Sequence, residues 1–488
     1  MKKLVAIIAA IVLALGITGG IMAYHNGDLS WEGFLDALEG IFTIDVKPEE
    51  LQTLPVITED TPLPEEENLT YDEHLEKGDY YFERGFLTFA SNEYVRAANL
   101  EPNRIAPYLK LVKTHYELRN YSKALKNAEL VLQLDPNHTE TRYDMIRIYI
   151  KLSDFDTAKN LADSFASAIP DARILYYQGL LSALFDAHDL AQKFLKEAKV
   201  ATDDPKLDEK IDIILEAYRE FDFTQAAEDI YRSELLARAF NKAEEYEMAV
   251  QLLKEVLQSR SDLRDGWILL GFAYLNMEQY AFALTTFDKA YSLDPEWPTT
   301  QYFLGITHKE LSHFDDAIVY FNYALNNDFE PKVVIYRHLA DLYFETEDYE
   351  KSAEAYEKVL EVSKEDISAF IRPIWLYVDF LEDPDKAVKL AETAVLSFPD
   401  SAMSYNLLGW AYIHKDESKA EKHLKKALEM DPNLSASYYN LGQLYELQNR
   451  NSLAMESYQK AYELDSSGSI GNMSAAAYNE LLKETLSN

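Results

Sequence analysis

From residue 71 onward, apolar side chains return at steps of three, four and seven. The stretch 264–297 shows the pattern most fully: Trp267, Leu270, Gly271 and Tyr274 stand at i, i+3, i+4 and i+7, one face of a helix. Ala283, Phe287 and Ala290 stand at i, i+4 and i+7 and make one face of a second helix, after the short turn "NMEQY". Pro295 ends the second helix. Either helix alone is too short to be stable in water. Paired, Gly271 and Ala283 leave room for the backbones to approach, and Tyr274 and Phe287 fill the space beside them.

The same offsets recur along the chain. Gly78, Tyr81, Ala90, Tyr94, Ala97 and Pro102 carry them near the start, and Tyr108, Leu111, Ala124, Ala128 and Pro136 follow. Tyr149, Ala158, Ala162, Phe165 and Pro170 come next, then a looser copy with Gly179, Ala191, Leu195 and Ala198. Beyond the full copy lie Leu304, Gly305, Ala317, Phe321 and Ala324, then Leu408, Gly409, Tyr412, Ala420, Leu424, Ala427 and Pro432. The last copy holds Leu441, Gly442, Tyr445, Ala454, Tyr458 and Ala461. This pattern resembles the tetratricopeptide repeat, a 34-residue helix–turn–helix unit. With degenerate copies near 230–263, 333–366 and 368–401, the resemblance covers about eleven units over residues 71–468. It implies an all-α fold, an α-solenoid in which each unit leans on its neighbours.

Two stretches break the period. Residues 206–229 do not fit it, yet Ile211, Ile214, Leu215 and Tyr218 share a helical face. An irregular extra helix is expected there, dividing an N-terminal superhelix (71–205) from a C-terminal one (230–468). Pro373 falls inside an expected first helix and must kink it or delay its start. Residues 469–488 are expected to form a capping helix.

The first 70 residues have a different character. Lys2 and Lys3 precede an uncharged run from Leu4 to Ala23. As a helix, this run would be about 30 Å long, the thickness of a hydrocarbon core. Residues 1–23 therefore predict a transmembrane signal anchor, with the N-terminus in the cytoplasm and the body outside the cytoplasmic membrane. The alternative is a secreted protein, cleaved after Ala23. In residues 24–70, Trp31, Phe34, Leu35, Leu38, Ile41 and Phe42 mark a short amphipathic helix, and Pro48, Pro55, Pro62 and Pro64 a proline- and glutamate-rich linker.

Charge narrows the partners. With 47 basic and 84 acidic residues, the chain carries a formal charge of −37. Such a chain repels nucleic acid and anionic lipid headgroups, which leaves other proteins as partners, besides the membrane reached through the N-terminal helix. There is no cysteine, so disulfides, thiolate metal sites and a cysteine nucleophile are excluded.

In the 264–297 unit a second apolar row, Ile268, Phe272 and Leu275, also stands at i, i+4 and i+7. It packs the next unit or lines a groove. In the tetratricopeptide family such positions line a concave face that binds peptides. The resemblance thus implies a peptide-binding row of Lys113, Tyr143, Arg147, Ile268, Phe272, Leu275, Tyr302, Ile306, Arg337, Phe344, Asn406, Trp410 and Tyr439, with Tyr116, Ile150 and Lys309 beside it. Aromatic anchors beside a few cations suit a peptide with hydrophobic and acidic residues.

No constellation for catalysis stands out, so neither an enzyme, a cofactor nor a small-molecule substrate is expected. His308 and His313, five apart, miss the i, i+4 spacing of a helical metal pair, and no metal is expected. His115 and His308 occupy the slot that Tyr274 fills elsewhere and read as packing residues. The expected function is a membrane-tethered scaffold organising a cell-envelope complex; the alternative is a secreted, self-associating solenoid.

Overall fold

The structure is a computed structural model and describes residues 69–164, 171–224, 229–362 and 366–487. The expected anchor, amphipathic helix and linker, as far as residue 68, and also Phe165 and Pro170, lie outside the described residues. Contacts divide the chain into two units after His74, and the larger, from Leu75 onward, holds the repeats.

Among the described residues there are 24 α-helices and no strand. None of these helices is long and apolar enough to cross a membrane. Four helix pairs come first: α1 (Tyr71–Glu83) with α2 (Leu87–Leu100), α3 (Ala106–Glu117) with α4 (Tyr121–Leu134), α5 (Thr139–Lys151) with α6 (Phe155–Ser164), and α7 (Ala172–Leu184) with α8 (His188–Ala201). A single helix, α9 (Pro205–Phe223), follows. Next come α10 (Asp229–Lys242) with α11 (Tyr246–Ser259), α12 (Arg264–Asn276) with α13 (Tyr280–Leu293), α14 (Pro298–Glu310) with α15 (Phe314–Asn326), and α16 (Lys332–Glu345) with α17 (Tyr349–Val362). The short α18 (Ile371–Trp375) precedes α19 (Pro384–Ser397), and then α20 (Ala402–Tyr412) pairs with α21 (Glu417–Met430) and α22 (Ser435–Leu447) with α23 (Asn451–Leu464). The terminal helix α24 (Ser469–Ser487) packs on α23 and buries Ser474 and Leu481.

Most of the pairs close through one recurring turn. A residue with positive φ ends the first helix, as at Arg119, Ser153, Asp186, Glu244, Glu278, Ser312, Glu347 and Asn449. The next residue's N–H then returns to a carbonyl of the last helical turn, as Gln279 does to Tyr274 at 2.9 Å. Within each pair, small side chains meet large ones. At Gly271 an added Cβ would stand 2.5 Å from the Phe287 ring, and at Gly442 it would stand 2.4 Å from the Tyr458 ring. Ala283, Ala290, Phe287 and Tyr458 are buried where the helices touch.

Both departures from the period have physical accounts. The extra helix expected at 206–229 is present as α9, 19 residues long from Pro205 to Phe223. Asp204 caps it by accepting from the Lys206 N–H, and Pro205 opens its first turn. Its apolar face, Leu207, Ile211, Ile214 and Tyr218, is buried, with α10 packed beside it. The core does not break at this point: one continuous apolar cluster runs from Ile146 to Leu304. Pro373 splits its helix into a 3-10 turn (Ile367–Phe370), α18 and a π-helical turn (Leu376–Phe380). With no N–H to donate, proline cannot hold the regular ladder there.

Gly271→Ala should lower the unfolding free energy by about 1–3 kcal/mol, because a ring as large as that of Phe287 cannot yield without repacking. Denaturant unfolding measures this. A Phe287→Leu change in the same chain should recover part of the loss, whereas additive losses would show that the close approach is not the cause.

Candidate functional site

The first helices of the pairs carry the row expected to bind a peptide. In the N-terminal four pairs, much of that row is already engaged by the chain itself. Arg147 on α5 donates to the Tyr116 hydroxyl at 3.0 Å and lies 4.5 Å over the Tyr116 ring and 5.4 Å over that of Tyr143. Tyr143 packs on Tyr177 at 5.8 Å, and the Arg173 guanidinium lies 4.5 Å from the centre of the Tyr143 ring. Burial pushes the Asp144 carboxyl up to about 6 despite the Arg147 guanidinium 3.7 Å away. Ile150 is buried, and Lys113 is exposed with its ammonium 5.0 Å from the Phe82 ring.

What meets this face is the turn between α10 and α11. Glu247 accepts from the Lys151 ammonium through both oxygens, at 2.8 and 3.0 Å, across 96 residues of sequence. The Glu245 carboxylate accepts from the Tyr176 hydroxyl at 3.2 Å and lies 3.7 Å from Lys210 on α9. Burial raises the Glu245 carboxyl above its ordinary range and raises the Tyr176 and Tyr177 hydroxyls well above theirs. Further out, Arg119 pairs with Glu278 at 2.8 Å, where both side chains are more than half exposed. α9 thus lets the chain turn so that α11 packs against α5 and α7. Helix α7 is consequently buried from Ile174 to Leu184. The sequence holds a sign of this contact: after Arg173, α7 has no charged residue, and a helix apolar all round is one covered all round.

Further along, the row divides. Ile268 is 9% exposed, Phe272 lies between Tyr246 (6.4 Å) and Phe303 (5.7 Å), and Leu275 packs on the same core. Asn406 is 2% exposed, and its side-chain oxygen accepts from the Ser437 hydroxyl at 2.9 Å and from the Asn440 amide at 3.0 Å. These four residues join one unit to its neighbour, which leaves Ile268 and Asn406 almost no surface for a ligand. Tyr302 stacks on Phe329 at 4.5 Å, Ile306 is half-buried beside it, and Tyr439 packs on Tyr458 at 5.8 Å. Phe344 gathers with Tyr349, Trp375 and Phe380 at 5.2–5.6 Å, and Trp410 is half-buried in the same core. Arg337 is exposed and Lys309 half-exposed, and among the described residues neither forms an ion pair. Asp379 and His414 line an open hollow near Phe380 with Val378, Glu382, Pro384 and Ala411. No repeat spacing points to Trp375, Phe380 or this hollow, because α18 and the π-turn that carry the two rings stand outside the period.

The geometry is that of a solenoid of paired helices, and sequence comparison agrees. The chain carries tetratricopeptide repeats: models of that repeat match residues 115–184, 265–296, 335–366, 402–434 and 423–456. A TPR repeat-containing protein of Methanocaldococcus jannaschii is 21% identical over 415 residues, covering 81% of this chain and 68% of that one. Anaphase-promoting complex subunit 3 of Schizosaccharomyces pombe is 23% identical, over 40% of this chain and 30% of its own length. Superkiller complex protein 3 of Mus musculus is 24% identical, and the match spans 48% of this chain and 15% of that one. Among solved structures, yeast Tom70 aligns over 85% of this chain and 96% of its own, at 14% identity and a TM-score of 0.29. A tetratricopeptide repeat protein from Parabacteroides merdae aligns over 52% and 98%, at 16% identity and a TM-score of 0.33.

Glu247→Ala should cost about 1–3 kcal/mol, since it removes a buried carboxylate and strips the partner from the half-buried Lys151. Arg119→Ala, at an exposed pair, should cost less than about 1 kcal/mol. Hydrogen exchange of α5 and α7 should rise only in the first variant; equal behaviour of the two would mean that the α10–α11 turn does not hold this face.

Proposed function

We propose that this protein is a membrane-tethered scaffold that binds other proteins through the first-helix row of its C-terminal half. The observation that carries this reading is the contrast between the two halves. In the N-terminal half Arg147, Lys151 and the tyrosines around them are engaged within the chain. In the C-terminal half, the unpaired cations Lys309 and Arg337 stand on successive first helices, α14 and α16, with Tyr302, Phe344, Trp410 and Tyr439 spread along the row. Aromatic groups beside unpaired cations suit a segment that presents apolar and acidic side chains. The formal charge of −37 opposes nucleic acid as a partner.

Tethering is read from residues 1–23. Two lysines, then twenty uncharged residues, favour a single pass with the N-terminus in the cytoplasm and the body beyond the cytoplasmic membrane. Work in a cell-envelope assembly is proposed by analogy with other tetratricopeptide scaffolds.

Proximity labelling in living cells, with an Arg337→Glu, Trp410→Ser chain beside the natural one, tests the binding row. Partners should be lost from the variant while its helicity is unchanged; an identical set of labelled proteins would place binding elsewhere. Topology is checked separately. Protease added to intact cells or spheroplasts should digest the body, and a body protected until the membrane is broken would refute this orientation.

A further inference from the structure

The turn from α14 to α15 gathers three donor groups that their sequence spacing keeps off any single helix face. His308 lies in the last turn of α14, His313 is the residue before α15, and Asp316 sits in the first turn of α15. Ser312, at φ 60°, reverses the chain, and the His313 N–H donates to the His308 carbonyl at 2.8 Å. One ligand atom from each of the three side chains lies within 4.8 Å of the other two.

His308 is the anchor of the cluster. The residue is 9% exposed, and its Nδ1 is buried without a hydrogen-bond partner. That nitrogen lies 3.9 Å from Asp316 Oδ2, too far for a hydrogen bond. The Tyr320 ring, stacked at 5.2 Å and 10°, holds the imidazole plane. His313 occupies the capping position of α15 but makes no side-chain cap. His138, in the same position before α5, spends its Nδ1 on the Thr141 N–H. The His313 ring is therefore not consumed by the local turn.

We propose that His308, His313 and Asp316 bind a divalent transition-metal ion of the zinc type. Two imidazole nitrogens and one carboxylate oxygen match zinc in donor type, whereas magnesium and calcium favour all-oxygen sets. Zinc–ligand lengths of about 2.0–2.2 Å require the donors to close by roughly 1 Å. His313 and Asp316 are both exposed, so rotation of their side chains supplies that movement. A fourth position is left to water or to a partner's side chain. The ion would clip α14 to α15 across their turn, and its binding does not depend on the scaffold reading.

Zinc chloride titrated calorimetrically into the full-length chain, with millimolar magnesium present to fill weak acidic sites, tests this. One ion per chain is expected, with affinity about tenfold or more weaker in both His313→Gln and Asp316→Asn. Cobalt substitution should give a visible absorption band that is lost in the same variants. Neither substituted side chain is buried, so folding is retained, and circular dichroism verifies it. Absence of saturable zinc binding, or equal affinity in the natural chain and both variants, would overturn the proposal.

Discussion

Everything in this molecule depends on how closely two short helices can approach. At Gly271 and Gly442 the space a Cβ would need is taken by the partner helix's ring. The ring is then free to serve a second purpose. Phe287, seated over Gly271, stacks at 5.3 Å and 6° on Phe303 of the following unit. One close approach therefore fixes the pair and also hands the packing on to the next. Because each contact is local, length adds units without needing a larger central core.

The odd helix α9 is where locality fails. A stack of pairs brings only neighbours together, yet Lys151 and Glu247 meet across 96 residues. Magnitudes decide what matters at this turn. An exposed pair such as Arg119–Glu278 contributes little, whereas removing one member of the Lys151–Glu247 pair leaves a charge in a mostly buried place. The acidic excess of the chain is thus not only a coating: between α10 and α11 two carboxylates occupy the face that a foreign acidic segment would otherwise seek.

The pairing of helices is legible in the sequence because it obeys a period. Gly271, Ala283 and Phe287 carry in their spacing the contact they make. The row expected to bind a peptide is only partly legible, since one i, i+4 row serves both to pack the next unit and to line a groove. Spacing cannot separate Phe272 and Asn406, which join neighbours, from Arg337, which stays open. The covering of α7 leaves a trace in its lack of charge, but the identity of its cover leaves none, because contacts across α9 follow no repeat. The meeting of His308 with His313 is hidden for another reason. Helical spacing is the wrong test for two residues joined through a turn with positive φ.

The Lys151–Glu247 bond also governs how the body behaves under load. A plain stack pulled from its amino-terminal end would peel rung by rung. In this chain the third and fourth rungs are lashed to the fifth, so the stretch from α5 to α11 must let go in a single, larger step. Under a pull on its leading end, that lashing would act as a brake on unravelling.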